Sequence, residues 1–257
     1  MKIIQCQKSY SAAEIKRVGT YLEIVLFLTF LATLAWLFLE KFQGQLDIGV
    51  RLALLAFAYF GVGTLYYFLF HKSDHQYYLD TLINNLVGKK GEDMVSSILK
   101  NDFGDDCIYL RNYPISNEFK NSGDIDGVLI TPKGLFVLEV KFYSGSFEIV
   151  NGHFQKIFKD QSRSYPFDKP IWQSNKQHTY ITELMNRNNC HPYIRALVVL
   201  AHGRILHIKG QTGVYILEKD KLIDFIRQDM ARLPNELDQT ALRSIMNAFQ
   251  MAAGVGL

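Results

Sequence analysis

Cysteine is scarce in this chain, with only Cys6, Cys107 and Cys190 among 257 residues. They are odd in number, widely spaced and form no C-x-x-C pair, which points to neither a disulfide framework nor a cysteine zinc site. The histidines His153, His178, His191, His202 and His207 show no ligand spacing with acidic or cysteine partners. His202 and His207 flank an expected turn at Gly203. No P-loop or dinucleotide fingerprint is present, because the GKKGE of Gly88 to Glu92 lacks the spacing and the following Ser or Thr. There is no internal repeat and no low-complexity tract. Charge of one sign is nearly balanced, at +3 overall.

Apolar residues, by contrast, are abundant. They make up 48% of the chain, and the excess lies near the N-terminus. Ile24 to Leu39 and Leu52 to Phe70 carry no charge. The second run is long enough to cross a bilayer as a helix, and the first becomes so when Tyr21, Leu22 and Glu23 are added. A pair of buried core helices is the bland alternative. A cleaved signal peptide fits poorly, since a second apolar run follows without a small-residue cleavage site. The expectation is a two-helix hairpin across a membrane at about 21–40 and 51–70. Lys2, Lys8, Lys16 and Arg17 precede it, Lys72, Lys89 and Lys90 follow it, and only Lys41 and Arg51 lie between. The positive-inside rule then puts the rest of the chain in the cytoplasm, on the inner membrane. The expected segments are 1–19 on the cytoplasmic side, 20–72 in the bilayer, a connector at 73–87, an α/β domain at 88–217 and C-terminal helices over 218–257.

The most informative stretch is GDIDGVLITPKGLFVLEVKF, Gly123 to Phe142. Thr131-Pro132-Lys133-Gly134 has turn chemistry, with Pro suited to the second position and Gly to the fourth. The flanks are rich in Val, Ile, Leu and Phe, so the stretch predicts an antiparallel hairpin. With Ile130 facing Leu135, Asp126 lies opposite Glu139 and Asp124 opposite Lys141. Side chains alternate along a strand, so all four share one face. Opposed Cβ atoms stand about 4.5–5.5 Å apart, where like charges destabilise. A divalent cation between Asp126 and Glu139 resolves the conflict, and hard oxygen ligands suit Mg²⁺ or Mn²⁺. Lys141 would pair with Asp124 or orient a water. An edge hairpin with a solvated charged face is the bland alternative. Against it, Leu135 and Val137 continue the charged face as apolar, and Phe136, Leu138, Val140 and Phe142 make the other face wholly apolar, as in a central strand.

Around this hairpin the pattern is α/β. A helix is expected from about Lys90 or Gly91 to Lys100, with Val95, Ile98 and Leu99 as its apolar stripe and Glu92 on the same side. An acid in a first turn also simply complements the helix dipole. A strand near Cys107 to Asn112 follows. Asn151-Gly152 predicts a second hairpin, with Glu148 facing solvent. Pro170 opens an amphipathic helix to about Asn188, in which Gln173 shares a face with Gln177, Tyr180 and Leu184. Strands over 195–200 and 212–217 and helices over 219–228 and 235–251 complete the domain. His153 to Gln211 holds nine Lys or Arg against three Asp or Glu. Phe154, Phe158, Tyr165, Phe167 and Trp172 are interleaved among them, a composition that could contact phosphates and stack bases. A solvated positive face, or attraction to anionic lipid, reads the same composition differently.

Gly91-Glu92 at a helix start, GDIDGVLITPKGLFVLEVK and a proline-led helix with Gln173 together resemble the nuclease-related domain, NERD, of the PD-(D/E)XK superfamily. The resemblance covers about Gly88 to Leu200. It implies a restriction-endonuclease-like fold, a mixed central sheet flanked by helices. It also implies roles: Glu92 as the helix-borne acid, Asp126 as the metal-binding aspartate, Glu139 and Lys141 as the E-x-K pair and Gln173 as the supporting glutamine. The ion, Mg²⁺ or Mn²⁺, would be held by Asp126, Glu139 and the Val140 backbone carbonyl. The implied activity is hydrolysis of phosphodiester bonds in nucleic acid, DNA before RNA. The alternative is an inactive module tethered to the membrane that binds nucleic acid or another protein.

Overall fold

A computed structural model of the chain describes residues 1–6, 74–115, 124–234 and 236–253. Two compact units divide the chain, residues 10–86 and residues 1–9 with 87–257. Of the first, only the helical backbone of 74–86 is described. Both expected spans, about 21–40 and 51–70, lie outside the described residues, among which no helix is long and apolar enough to cross a membrane.

The expected turn forms, and Thr131 closes it. Its Oγ1 accepts from the amides of Lys133 and Gly134 at 3.2 and 3.1 Å and donates to the Gly134 carbonyl at 2.9 Å. On either side run β3 (Ile125–Thr131) and β4 (Gly134–Val150). Their register is the expected one: Ile130 faces Leu135 and Gly127 faces Leu138. Asn151 and Gly152, with φ of 49° and 81°, turn the chain from β4 into β5 (His153–Ile157). These left-handed values are what a two-residue hairpin loop needs. Glu148 is half-buried rather than solvent-facing, because Arg163 donates to its Oε2 through Nε and Nη2, both at 3.1 Å.

Seven strands make one mixed sheet. Its order is β1 (Lys2–Gln5), β2 (Ile108–Tyr113), β3, β4, β6 (Ile194–Lys209) and β7 (Tyr215–Glu218), with β5 against the far half of β4. β3 runs antiparallel to β2 and β4, while β1 with β2, β4 with β6 and β6 with β7 are parallel. Residues 2–5, expected as part of a leading segment, thus become an edge strand. β6 also passes straight through the turn expected at Gly203, whose φ of 98° is absorbed inside the strand.

Helices cover both faces of the sheet. On one, Leu110, Val128, Ile130, Leu135 and Val137 pack against Tyr180, Ile181 and Leu184 of α2 (Lys169–Arg187) and Ile245 and Phe249 of α4 (Gln239–Ala253). On the other, Tyr109, Leu129, Phe136, Leu138 and Val140 meet Val95 and Leu99 of α1 (Asp74–Asp102) and Leu222 and Ile226 of α3 (Leu222–Arg232). The period-two alternation of the hairpin therefore separates two cores. The C-terminal helices belong to the same unit, since Phe249 lies fully buried against the sheet.

α1 does not begin at Lys90 or Gly91. The helix runs through both glycines, which places Glu92 in its interior and removes the dipole explanation for it. A Cβ on Gly91 would lie 3.2 Å from Phe142 Cβ and 3.3 Å from Ala201 Cβ. The glycine that sequence reasoning takes as a helix start is thus a close-approach point between helix and sheet.

Candidate active site

β4 borrows different neighbours along one edge. β3 pairs with it over Gly134–Leu138 and β5 over Ser146–Val150, which leaves 139–145 between them. At that gap Asp126 continues the pairing with its side chain, for the Val140 amide donates to Asp126 Oδ2 at 2.7 Å. The strand is irregular here as well, with register shifts against β6 between Lys141 and Phe142 and between Phe142 and Ser146. Such bulges re-aim side chains beside functional sites.

Glu139 sits next in register to Gly127–Leu138, which brings it beside Asp126 as expected. It is 1% exposed. Lys141, two residues along on the same face, ion-pairs with Glu139 Oε1. It pairs there rather than with Asp124, its expected opposite number. Gln177 of α2 donates from Nε2 to Glu139 Oε2 at 2.5 Å and lies 3.4 Å from the Asp124 carbonyl. Gln177, not Gln173, thus bonds the site directly. Gln173 lies one turn earlier, with Oε1 buried and no hydrogen-bond partner among the described residues. The sequence held a signal for Gln177: it is an amide in the apolar stripe of Tyr180, Ile181 and Leu184, a position that asks for a buried partner.

Glu92 approaches from the other helix layer. Asn112 Nδ2 donates to its Oε2 at 3.1 Å, and Arg111 Nη2 lies 3.6 Å away. Asn112 in turn accepts from Gln5 Nε2 at 2.6 Å, so β1 is linked through Asn112 to Glu92. Asn112 holds φ at 48°, a left-handed value that asparagine tolerates better than most residues. Nothing in the sequence singled out Asn112, because its role depends on β1 packing beside β2.

The electrostatics bind these residues together. Burial, then the Glu139 carboxylate, pushes Asp126 well above the usual carboxylate range; Lys141 works against this and Glu92 adds to it. Asp126 is only half-buried by area, yet it is enclosed enough for desolvation to lead. Asp124 is raised by burial and then by Glu92. For Lys141, burial works to lower the ammonium, but Glu139 and Asp126 together outweigh it and raise it. Tyr143 is raised by burial, with Lys141 opposing and Glu139 adding. Tyr109 is fully buried beneath Gly127, with no hydrogen-bond partner for its hydroxyl among the described residues.

Two acids, Asp126 and Glu139, therefore bear on one lysine, while Glu92 lies near Arg111 and adds its negative potential at Asp126. Among the described residues no group of three or more His, Cys, Asp or Glu is arranged to hold a metal ion. Two carboxylates with a backbone carbonyl still fit Mg²⁺, which keeps several waters and takes substrate oxygens as ligands. The hard-oxygen donors and the unbalanced negative charge both suit a divalent cation. No curated protein and no solved structure matches the chain. One family model does: over residues 87–201, from α1 through the site hairpin and α2 into β6, the chain matches the nuclease-related domain, NERD.

Proposed function

We propose that this protein is a membrane-anchored, divalent-metal-dependent nuclease that hydrolyses phosphodiester bonds, DNA before RNA. The observation that carries this reading is that Asp126 and Glu139 lie close enough to repel each other, with Lys141 ion-paired to Glu139 and the Val140 amide bonded to Asp126. The match to the nuclease-related domain supplies the reaction class.

Asp126, Glu139 and the Val140 carbonyl would hold Mg²⁺ or Mn²⁺. A bound ion would make a water more acidic and offset charge gathering on the scissile phosphate. Lys141, kept protonated by Glu139 and Asp126, would orient that water and offset phosphate charge. Gln177 holds the Glu139 carboxylate in one rotamer, so less reorganisation is needed when substrate binds. Glu92, fixed by Asn112, would add negative potential from α1 and position the ion through a water. Gln173 would support the same face of α2 from one turn away. The apolar runs at 24–39 and 52–70 would place the reaction at the cytoplasmic face of the inner membrane.

The test is cleavage by the purified full chain in detergent. Linear, circular and single-stranded DNA and RNA are each incubated with Mg²⁺, with Mn²⁺ or with EDTA. Cleavage that requires the ion is the expected result. Cutting that persists in EDTA, or no cutting of any substrate, overturns the reading.

A further inference from the structure

Five aromatic residues are interleaved with basic ones from β5 into α2, and the fold sorts them into two classes. Phe154 is fully buried, and Phe167 stacks on it with ring centroids 5.6 Å apart. Phe158, Tyr165 and Trp172 remain exposed, at 45%, 94% and 43%. These three leave flat π-faces open to solvent within one fifteen-residue stretch, 158–172.

The segment that carries them is held in place. Lys156 and Ser164 bond each other twice, through the Ser164 amide to the Lys156 carbonyl and the Lys156 amide to Ser164 Oγ, both at 2.9 Å. The Phe158 amide donates to the Ser162 carbonyl at 2.9 Å, and Ile157 pairs with Arg163. Cations lie against the rings: Lys156 Nζ is 5.8 Å from the Phe158 centroid and Lys176 Nζ is 4.0 Å from that of Trp172.

The segment also adjoins the site. Phe167 meets Tyr143 edge-on at 5.8 Å, and Tyr143 follows Lys141 by two residues on β4. On α2, Trp172 and Lys176 lie on the outer side of the helix, four residues apart, while Gln173 stands at one edge of the buried face. Ile171 and Asn175 lie on the other flank, near Gly152 and Gly213.

We propose that Phe158, Tyr165 and Trp172, with Lys156 and Lys176, form a stacking shelf for the unpaired bases of single-stranded nucleic acid entering the site. This rests on the nuclease reading above and narrows its substrate class. Flat aromatic faces are of use to bases only when those bases are unstacked, whereas a duplex offers this surface only its phosphates. From 156 to 176 there are five Lys or Arg against Asp160 and Asp168, so the backbone finds a positive track. A lipid surface fits less well, because the sole aliphatic residue from 158 to 172, Ile171, is buried.

The experiment uses the full chain in detergent with EDTA, so that binding is read without cutting. Anisotropy of labelled oligo-dT and of a duplex of equal length gives the two affinities. Oligo-dT is expected to bind about tenfold or more tightly, and Tyr165→Ala with Trp172→Ala to weaken it by about tenfold or more while leaving the duplex unchanged. Equal affinity for the two DNAs, or a double variant that binds oligo-dT as wild type does, overturns the shelf. So does loss of binding to anionic phosphatidylserine vesicles in the double variant with oligo-dT affinity retained. Ion-dependent cleavage without preference for oligo-dT refutes the shelf alone. Shelf-dependent binding with no cleavage under any ion refutes the nuclease reading alone.

Discussion

Two buried acids of this molecule make opposite bargains with their surroundings. Asp229 of α3 is matched: Arg195 reaches its two oxygens through Nε at 3.1 Å and Nη2 at 3.2 Å, and the Tyr193 hydroxyl adds a bond at 3.1 Å. One carboxylate meets one guanidinium in a fork geometry. Glu139 is more deeply buried, yet its lysine is shared with Asp126, and Glu92 adds further negative charge. The first arrangement is complete in itself. In the second, two neighbouring carboxylates share one ammonium, so that burial and the Glu139 charge drive Asp126 towards its protonated form, and this is what distinguishes it from the matched pair.

Four changes would break or sharpen that contrast. The largest effect is expected from Glu139→Gln, which should lower the cleavage rate by about three orders of magnitude while leaving the melting temperature within a few degrees. A variant that cuts at the wild-type rate would return Glu139 to the structural class. Arg195→Leu should do the reverse. Leaving Asp229 buried without its guanidinium should cost about 3 kcal/mol in urea unfolding, with cleavage per folded molecule unchanged. Gln177→Leu lies between them. Loss of its bond to Glu139 should reduce kcat about tenfold with little change in KM, because a bond to a charged group is worth about 1.5–3 kcal/mol and only part of it is catalytic.

The smallest effect is in pH dependence. Asp126 binds its proton more tightly in the folded chain than in the unfolded one, where the carboxyl titrates near 3.8. Its contribution to stability is therefore full below that value and is lost as pH rises through the raised one. Without divalent ions, acidification towards the ordinary carboxylate range should raise the melting temperature of the wild type relative to that of Asp126→Asn. A slope identical in the two proteins would remove Asp126 from the coupled group.

Much of the fold was legible because local chemistry specified it. Thr131-Pro132-Lys133-Gly134 and Asn151-Gly152 are turns whose residues demand those conformations, and each pins a register. Once Ile130 faces Leu135, Asp126 must come to Glu139, so the core of the site follows from counting. Where local cues were ambiguous, packing decided. Gly88 and Gly91 look like a helix boundary, yet α1 continues because Gly91 lets it lie against Phe142 and Ala201. Gly203 looks like a turn, yet β6 continues alongside β4. Glu148 looks like a surface residue until Arg163 is brought to it.

The contacts that hold the site were not legible in the same way. Gln177 to Glu139 spans 38 residues, Asn112 to Glu92 spans 20, and Gln5 to Asn112 spans 107. No local pattern specifies such partners, for they depend on how α2, α1 and β1 dock on the sheet. The sequence by itself determined that two carboxylates and a lysine share one buried face, because strand periodicity and turn chemistry act over a few residues. Only the tertiary structure decided that Lys141 goes to Glu139, that the Val140 amide goes to Asp126 and that Gln177 bonds the site. Those choices depend on side-chain reach and helix docking, which are set by the packing of distant segments.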